Sequence, residues 1–510
     1  MTNLASLHTR ALLGLEAPAV TVEVHSSNGL PALSIVGLPE TSVKESRDRV
    51  RSALMSSRYQ LPPQRITLNL APADLPKSGS RYDLPIALGI LLATRQLESQ
   101  HPIGQYEFFG ELSLDGHLRA VEGLLPAILA ANRAGRTAII PQGNLEEAAL
   151  LDNAQVLGAS HLLEVCQFLS ATEADAINLF VPPKIATPPL SYEEDLRDIQ
   201  GQHQAKRALE IAASGRHNLL MVGPPGSGKS MLASRLRTLL PPLTPQQAIE
   251  VAAVHSVAGH GVKTEQRFQR PYLAPHHTAT QPAMVGGGSQ TQPKPGAVSL
   301  AHHGTLFLDE LPEFSRPVLE ALREPLENRE IEISRVNGHM RYPANFQLVA
   351  ALNPSPSGYF PDDPLGRCKD TPEQIAKYLR KISGPLLDRI DLQIEVPPVD
   401  LQALQAPIDP NAESSATVRA RVEKCHQRQY ERQGCLNAEL SAKQLKSLAT
   451  LTPEMNQLLE RAITQMGLSA RAYHALLRLA LTIADMQQSP LELPHLAEAI
   501  GYRSLDRLQP

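Results

Sequence analysis

Tryptophan is absent from this 510-residue sequence, and aromatic residues of all kinds make up only 4% of it. A platform that holds single strands by stacking bases on successive rings is therefore not expected. Cysteine occurs four times, at 166, 368, 425 and 435, without the spacing of a disulfide framework. Scattered thiols suggest a reducing compartment, the cytoplasm. No apolar run is long enough to span a membrane, and no N-terminal stretch has the pattern of a signal peptide. An excess of positive charge is also lacking, since 48 Lys and Arg face 52 Asp and Glu for a net −4. Any contact with nucleic acid must then come from local patches. Internal repeats and low-complexity tracts are missing as well. What is present, 42% hydrophobic and 20% charged residues, is the composition of a soluble globular protein of two to four domains.

Three regions follow along the chain. Residues 1–170 alternate β-type runs ("AVTVEVHSS", "LSIVGL", "RITLNLAP", "TAIIP") with helical stretches ("VKESRDRVRSALMSS", "LPIALGILLATRQL", "LPAILAANRAG"), which predicts a mixed α/β domain. A Pro-rich segment over 171–195 reads as a linker. Residues 196–400 alternate strands and helices, as in a parallel-sheet α/β domain, and 401–510 read as all-helical.

The chemistry centres on "GPPGSGKS" in the 196–400 region, between the apolar run "LLMV" and a helical stretch. Gly223, Pro224, Pro225, Gly226, Ser227, Gly228, Lys229 and Ser230 fit a phosphate-binding loop for ATP or GTP. Its backbone N–H groups would wrap phosphates at a helix N-terminus. Lys229 would reach the terminal phosphates and Ser230 would ligate Mg²⁺. Downstream, the apolar strand of "GTLFLDEL" ends in Asp309 and Glu310. The first acid can hold Mg²⁺ and the second can polarise the attacking water. The strand in "FQLVAALNP" ends in Asn353, which a parallel sheet would bring beside the phosphates. Arg389, in "SGPLLDRIDL", reads either as a surface ion pair or as an arginine finger completing a neighbouring subunit's site.

These motifs, with "LSARAYHALLRLALTIADM", "APHHTATQPAMVGGGS" and "SLAHHGTLFLDELPEF", occur in the order of AAA+ ATPases. The set resembles the magnesium-chelatase-like AAA+ family known as YifB or ComM, over essentially the whole chain. The resemblance implies ATP and Mg²⁺ as cofactors, Asn353 as sensor 1, Arg389 as the arginine finger and Arg471 as sensor 2. It also implies a ring, a homohexamer, with ATP between subunits, and a C-terminal helical lid over 401–510. Its implied partner is DNA, single-stranded, branched or in junctions, with recombination or competence proteins beside it and no membrane.

Two insertions bear on the substrate. The segment "HHTATQPAMVGGGSQTQPKPG" reads as a flexible loop. In "IEISRVNGHMRYP", two β-type arms flank Asn337–Gly338, a strong hairpin signal. It resembles the pore hairpin of AAA+ motors. Arg335, His339 and Arg341 on it are the candidate DNA contacts, gripping phosphates without reading bases. The basic helix "VRARVEKCHQRQYERQ" reads first as a solvated face.

Two features depart from related families. The N-terminal region resembles the Lon protease domain in motif order, through "ITLNLAPADLPKSGSRYDLPIALGIL" and "FFGELSLDGHLRAVEGLLPAI". A Ser–Lys dyad needs both groups, and here Ser78 and Ser80 have no evident base, since the later helix holds no Lys. The domain is read as protease-dead. Relatives also carry clustered Cys after the sensor-1 Asn, where this chain has Ser355, Ser357 and Cys368, so no structural zinc is expected. The leading function, which the family resemblance implies, is an ATP-driven DNA motor, a branch-migration helicase in natural transformation. The alternatives are a chelatase-like ATPase remodelling a protein partner, and a Lon-like unfoldase–protease disfavoured by the missing dyad.

Overall fold

The computed structural model describes residues 3–37, 39–172, 179–183, 190, 192–261, 263–288, 293–335, 338–399 and 412–503. Two sheets organise the chain. The N-terminal one has seven strands in the order Ala32–Val36, Arg65–Ala71, Ala19–Ser27, Leu4–Arg10, Tyr106–Phe108, Thr137–Pro141, Val156–Ala159. Ala19–Ser27 runs antiparallel to both its neighbours, and the remaining pairs are parallel. The β-type runs read from the sequence coincide with these strands. The three predicted helices are Thr41–Ser56, Asp83–Ala93 and Leu124–Arg133. Asp83–Ala93 is buried on nearly every side, so it has no polar face to show.

The second sheet has five parallel strands, in the order Tyr272–Leu273, Thr305–Leu308, Gln347–Leu352, Leu219–Val222, Leu392–Glu395. All four residues of Leu219–Val222 are buried, as are all six of Gln347–Leu352, because helices cover both faces. Each buried Leu, Val or Met among them contributes about 1.5–3 kcal/mol by leaving water. The C-terminal helices Ser415–Gln433, Pro453–Met466, Ala470–Met486 and Leu493–Gly501 share one core with this sheet, through residues such as Val422, Leu459, Leu476 and Leu496. No helix among the described residues is long and apolar enough to cross a membrane.

Several local expectations need correction. The segment after His277 is not a structureless loop: Thr280 caps a short helix, Gln281–Val285, whose Met284 is fully buried. Gly286–Gly287 then pairs with Lys294–Pro295. The segment read as linker is held to the first sheet at its start, where Phe180 exchanges two backbone hydrogen bonds with Gly158. Residues 173–178, 184–189 and 191 of that segment, and 400–411 after the second sheet, lie outside the described residues. The hairpin exists, as Glu330–Arg335 against Gly338–Pro343, but Gly338 lies on the second strand opposite Arg335 and not at the turn. Asn337 and the side chain of Arg335 lie outside the described residues.

The N-terminal domain docks on the insertion side of the ATPase sheet. The Gly123 N–H donates to Ser256 O at 3.0 Å, Arg267 pairs with Asp152 at 3.0 Å and Lys294 with Glu122 at 2.8 Å. Leu12 joins the core that holds Tyr342 of the hairpin.

Candidate nucleotide site and its separated halves

Because the five strands are parallel, their C-terminal ends share one edge. Val222 leads into Gly223, Leu308 into Asp309 and Leu352 into Asn353, so one edge collects the predicted loop, the two acids and the sensor-1 Asn353. Gly223 is demanded by space, since a Cβ there would lie 2.2 Å from Val396 O. Gly226 and Gly228 are demanded by backbone shape, with φ of +77° and +90°. Pro224, Pro225 and Ser227 complete the turn, the Ser227 N–H donating to Pro224 O at 3.3 Å. Lys229 opens the helix Lys229–Leu239 and is 8% exposed. Its ammonium donates to Gly223 O at 2.7 Å, Pro224 O at 3.0 Å and Asn353 Oδ1 at 3.2 Å. Burial pushes this ammonium below its ordinary pKa, against the opposing pull of Asp309 and Glu310.

Ser230 Oγ donates to Asp309 Oδ2 at 2.7 Å, and the Glu310 N–H donates to Asp309 Oδ1 at 2.9 Å. A hydroxyl and a carboxylate this close form a hard oxygen pair that fits Mg²⁺. Glu310 sits in the left-handed region at φ +52°, half-exposed, with His277 Nδ1 3.3 Å from its Oε2. The sequence shows His277 only as half of a His pair; its contact with Glu310 depends on tertiary folding.

The two predicted arginines lie elsewhere. Arg389 precedes the strand Leu392–Glu395, whose Leu392 pairs with Leu219, the start of the loop-bearing strand. Asn218 Nδ2 donates to Arg389 O at 2.8 Å. Arg389 thus stands at the N-terminal edge of the sheet, opposite the phosphate loop. Arg471, on the helix Ala470–Met486, joins it there: both guanidiniums reach Glu327, Arg471 Nη2 at 3.2 Å and Arg389 through its own Nη2. They line a cleft of about 440 Å³. Behind it a buried chain, Asp391–His217–Thr482, ties the sheet to the helix of Arg471, with His217 Nδ1 3.0 Å from Asp391 and Nε2 2.8 Å from Thr482 Oγ1.

The hairpin carries less positive charge than its arginines suggest. His339 Nδ1 lies 3.0 Å from Glu332 Oε1 and Arg341 Nε 3.6 Å from Glu332 Oε2. The basic helix behaves as a structural face: Arg421 pairs with Glu210 and Glu413, and Arg432 makes two bonds to buried Asp485.

In the N-terminal domain, Lys77 is fully buried and donates to Gly37 O at 2.8 Å and to Pro72 O. Ser80 Oγ bonds Glu111, and Ser78 Oγ is buried without a partner. Asp83 takes two bonds from Arg49, at 2.6 and 3.0 Å. Lys77, next to Ser78 in sequence, therefore serves backbone carbonyls.

The positions read against zinc do converge. Ser355 Oγ lies 3.1 Å from Ser357 Oγ, Cys368 Sγ lies 3.8 Å from both, and Asp370 accepts from the Ser357 N–H at 2.7 Å. One thiol with two hydroxyls and a carboxylate is a poor donor set for structural zinc, which favours Cys and His. The purified protein should carry well below one zinc per chain. Ser355→Cys, Ser357→Cys, Asp370→Cys together should acquire about one, and elemental analysis after desalting checks both. A second cluster brings the Glu250 carboxylate and the His302 and His303 imidazoles within 4.8 Å of one another. His302 Nδ1 accepts the Asn345 N–H at 3.1 Å, so its proton sits on Nε2, facing Glu250. A metal-bound His instead needs its second nitrogen to donate.

Comparison with known proteins agrees with the geometry. Residues 195–404 match the family model "Magnesium chelatase, subunit ChlI", 22–144 the model "Subunit ChlI of Mg-chelatase" and 412–503 its C-terminal counterpart. The chain is 50% identical over 508 residues to competence protein ComM of Haemophilus influenzae, covering 99% of this chain and 98% of that one. It is 48% identical over 507 residues to the uncharacterized protein YifB of Escherichia coli, covering 99% and 98%. Lon protease 2 of Bacillus subtilis is 26% identical over 251 residues, 44% of each chain. A parallel sheet with a phosphate loop on one edge, joined to these full-length likenesses, identifies the chain as a member of the magnesium-chelatase-like AAA+ ATPase family of YifB and ComM.

Proposed function

We propose that the protein is an ATP-hydrolysing ring subunit, assembling as a homohexamer, that moves along DNA as a branch-migration helicase in natural transformation. The observation that carries the ring is the division of the site: Lys229, Asp309, Glu310 and Asn353 stand on one edge of the sheet, and Arg389 and Arg471 on the other. In this reading neither arginine serves its own loop across the length of the strands, and a second copy supplies them. Such a head-to-tail interface closes into a ring.

In this reading the loop N–H groups from Gly226 to Ser230 hold the phosphates, and Lys229 exchanges the carbonyls of Gly223 and Pro224 for phosphate oxygens. Bound between Ser230 and Asp309, Mg²⁺ would offset phosphate charge. Glu310 takes the proton of the attacking water, and Asn353 orients that water. Support for DNA comes from the hairpin and from the likeness to a competence protein. The sharing of Glu332 by His339 and Arg341 favours instead the chelatase-like reading, an ATPase that remodels a protein partner.

One assay separates the two. On the DNA reading, junction DNA raises ATP turnover and the stimulation falls with added salt. The variant Arg335→Ala, Arg341→Ala should keep basal turnover within about twofold while losing most of that stimulation, as two phosphate contacts are removed. Unchanged stimulation would take the hairpin out of the DNA path, and no stimulation of the wild type by any DNA would favour the protein partner.

A further inference from the structure

Glu327 is the residue both candidate trans arginines touch. It lies near the C-terminal end of the short helix Arg323–Asn328, on neither of the elements that carry them. Arg389 comes from the sheet edge and Arg471 from the first turn of Ala470–Met486. Two guanidiniums brought together repel, and a carboxylate between them removes the repulsion and fixes their spacing. The two backbones are also linked, since Ser469, which caps the helix of Arg471, donates from Oγ to Asp388 Oδ1 at 3.2 Å.

The two arginines differ in freedom. The Arg389 side chain is 10% exposed, with Nη1 given to Pro385 O at 2.6 Å and Nη2 to Glu327. Arg471 and Glu327 are each about half-exposed. Arg389 is thus a guanidinium stowed against the protein, aimed by the carboxylate, and Arg471 is the more exposed partner held at the same point. The pairing with Arg389 first, and then the nearby charge of Arg471, holds the Glu327 carboxyl below its ordinary pKa, so it is ionised at neutral pH.

We infer that Glu327 is a positioning residue that sets Arg389 and Arg471 as one pair for the terminal phosphate of the nucleotide held by the adjacent subunit. This rests on the proposal that the arginines act across the interface. The carboxylate touches no reacting atom; it fixes the direction from which both charges arrive. Losing that orientation should cost rate more than nucleotide affinity, because the groups that grip ATP belong to the other subunit.

The test is subunit mixing. Glu327→Ala and Glu327→Gln alone should lower kcat for ATP about tenfold to a hundredfold, with KM nearly unchanged, and Glu327→Asp should recover part of the loss. In mixed rings verified by two affinity tags, Glu327→Ala with Lys229→Ala should regain activity, since about a quarter of the interfaces in a random equal mixture join two intact halves. Glu327→Ala with Arg389→Ala should not, because every interface then lacks the pair. Wild-type kcat in Glu327→Ala, or rescue by Arg389→Ala but not by Lys229→Ala, overturns the inference alone. If Arg389→Ala itself fails to complement Lys229→Ala, the cross-subunit reading and this inference fall together.

Discussion

Glu310→Gln should bind ATP as the wild type does and hydrolyse it on the order of 10²-fold more slowly or worse, the usual cost of removing a positioned base. The two acids at the end of Thr305–Leu308 differ in availability. Asp309 is engaged on both oxygens, by Ser230 Oγ and by the Glu310 N–H. Glu310, in the left-handed region, is half-exposed, and among the described residues its carboxylate pairs with the half-buried imidazole of His277. The free carboxylate is the one that can take a proton, and the engaged one is the one that can hold a cation. An amide at 310 keeps shape and hydrogen bonding but cannot accept the proton. Lys229→Ala should behave differently, because in the proposed mechanism its ammonium grips the phosphates, so its loss should weaken binding itself. Calorimetric titration with a slowly hydrolysed ATP analogue, beside steady-state phosphate release, separates the two. A Glu310→Gln protein that turned over at the wild-type rate would remove Glu310 from the reaction.

The half of the site on the loop edge was legible because its signals are local. A Gly-rich turn between "LLMV" and a helix, and polar residues closing "LFL" and "VAAL", need only the chain to alternate strand and helix in parallel. What was not legible depends on residues distant in sequence. Glu327 is separated from Arg471 by 144 positions, and no periodicity in "REPLEN" singles out its carboxylate. Glu332 reads as an ordinary strand residue until the hairpin register places His339 and Arg341 beside it. Likewise the basic helix near Arg421 loses its surplus charge through carboxylates on other helices, Glu210 beside Arg421 and Asp485 beside Arg432. Charge counted along the sequence overstated the positive patches, since carboxylates that folding brings alongside cancel them.

Arg389→Ala should depress ATP hydrolysis on the order of 10³-fold, the lower range for loss of an arginine finger, while each subunit still binds nucleotide. The reason is topological. Leu219 pairs with Leu392 at one end of the sheet and Val222 with Glu395 at the other, so the chain leaves Arg389 at the first end and reaches Gly223 at the second. The helix carrying Arg471 stays at the first end, anchored by Ser469 on Asp388 and by Thr482 on His217. Arg471 should therefore share the behaviour of Arg389. In equal mixtures with Lys229→Ala, itself inactive, both Arg389→Ala and Arg471→Ala should recover activity, because each supplies an intact loop to a neighbour that supplies intact arginines. If Arg471 reached over its own loop, Arg471→Ala and Lys229→Ala would damage the same half, and no mixed interface would work. Phosphate release across a series of mixing ratios decides this. A curve rising above the straight line between the two inactive proteins supports the trans assignment for that arginine, and a flat line for Arg471→Ala alone would return Arg471 to its own subunit.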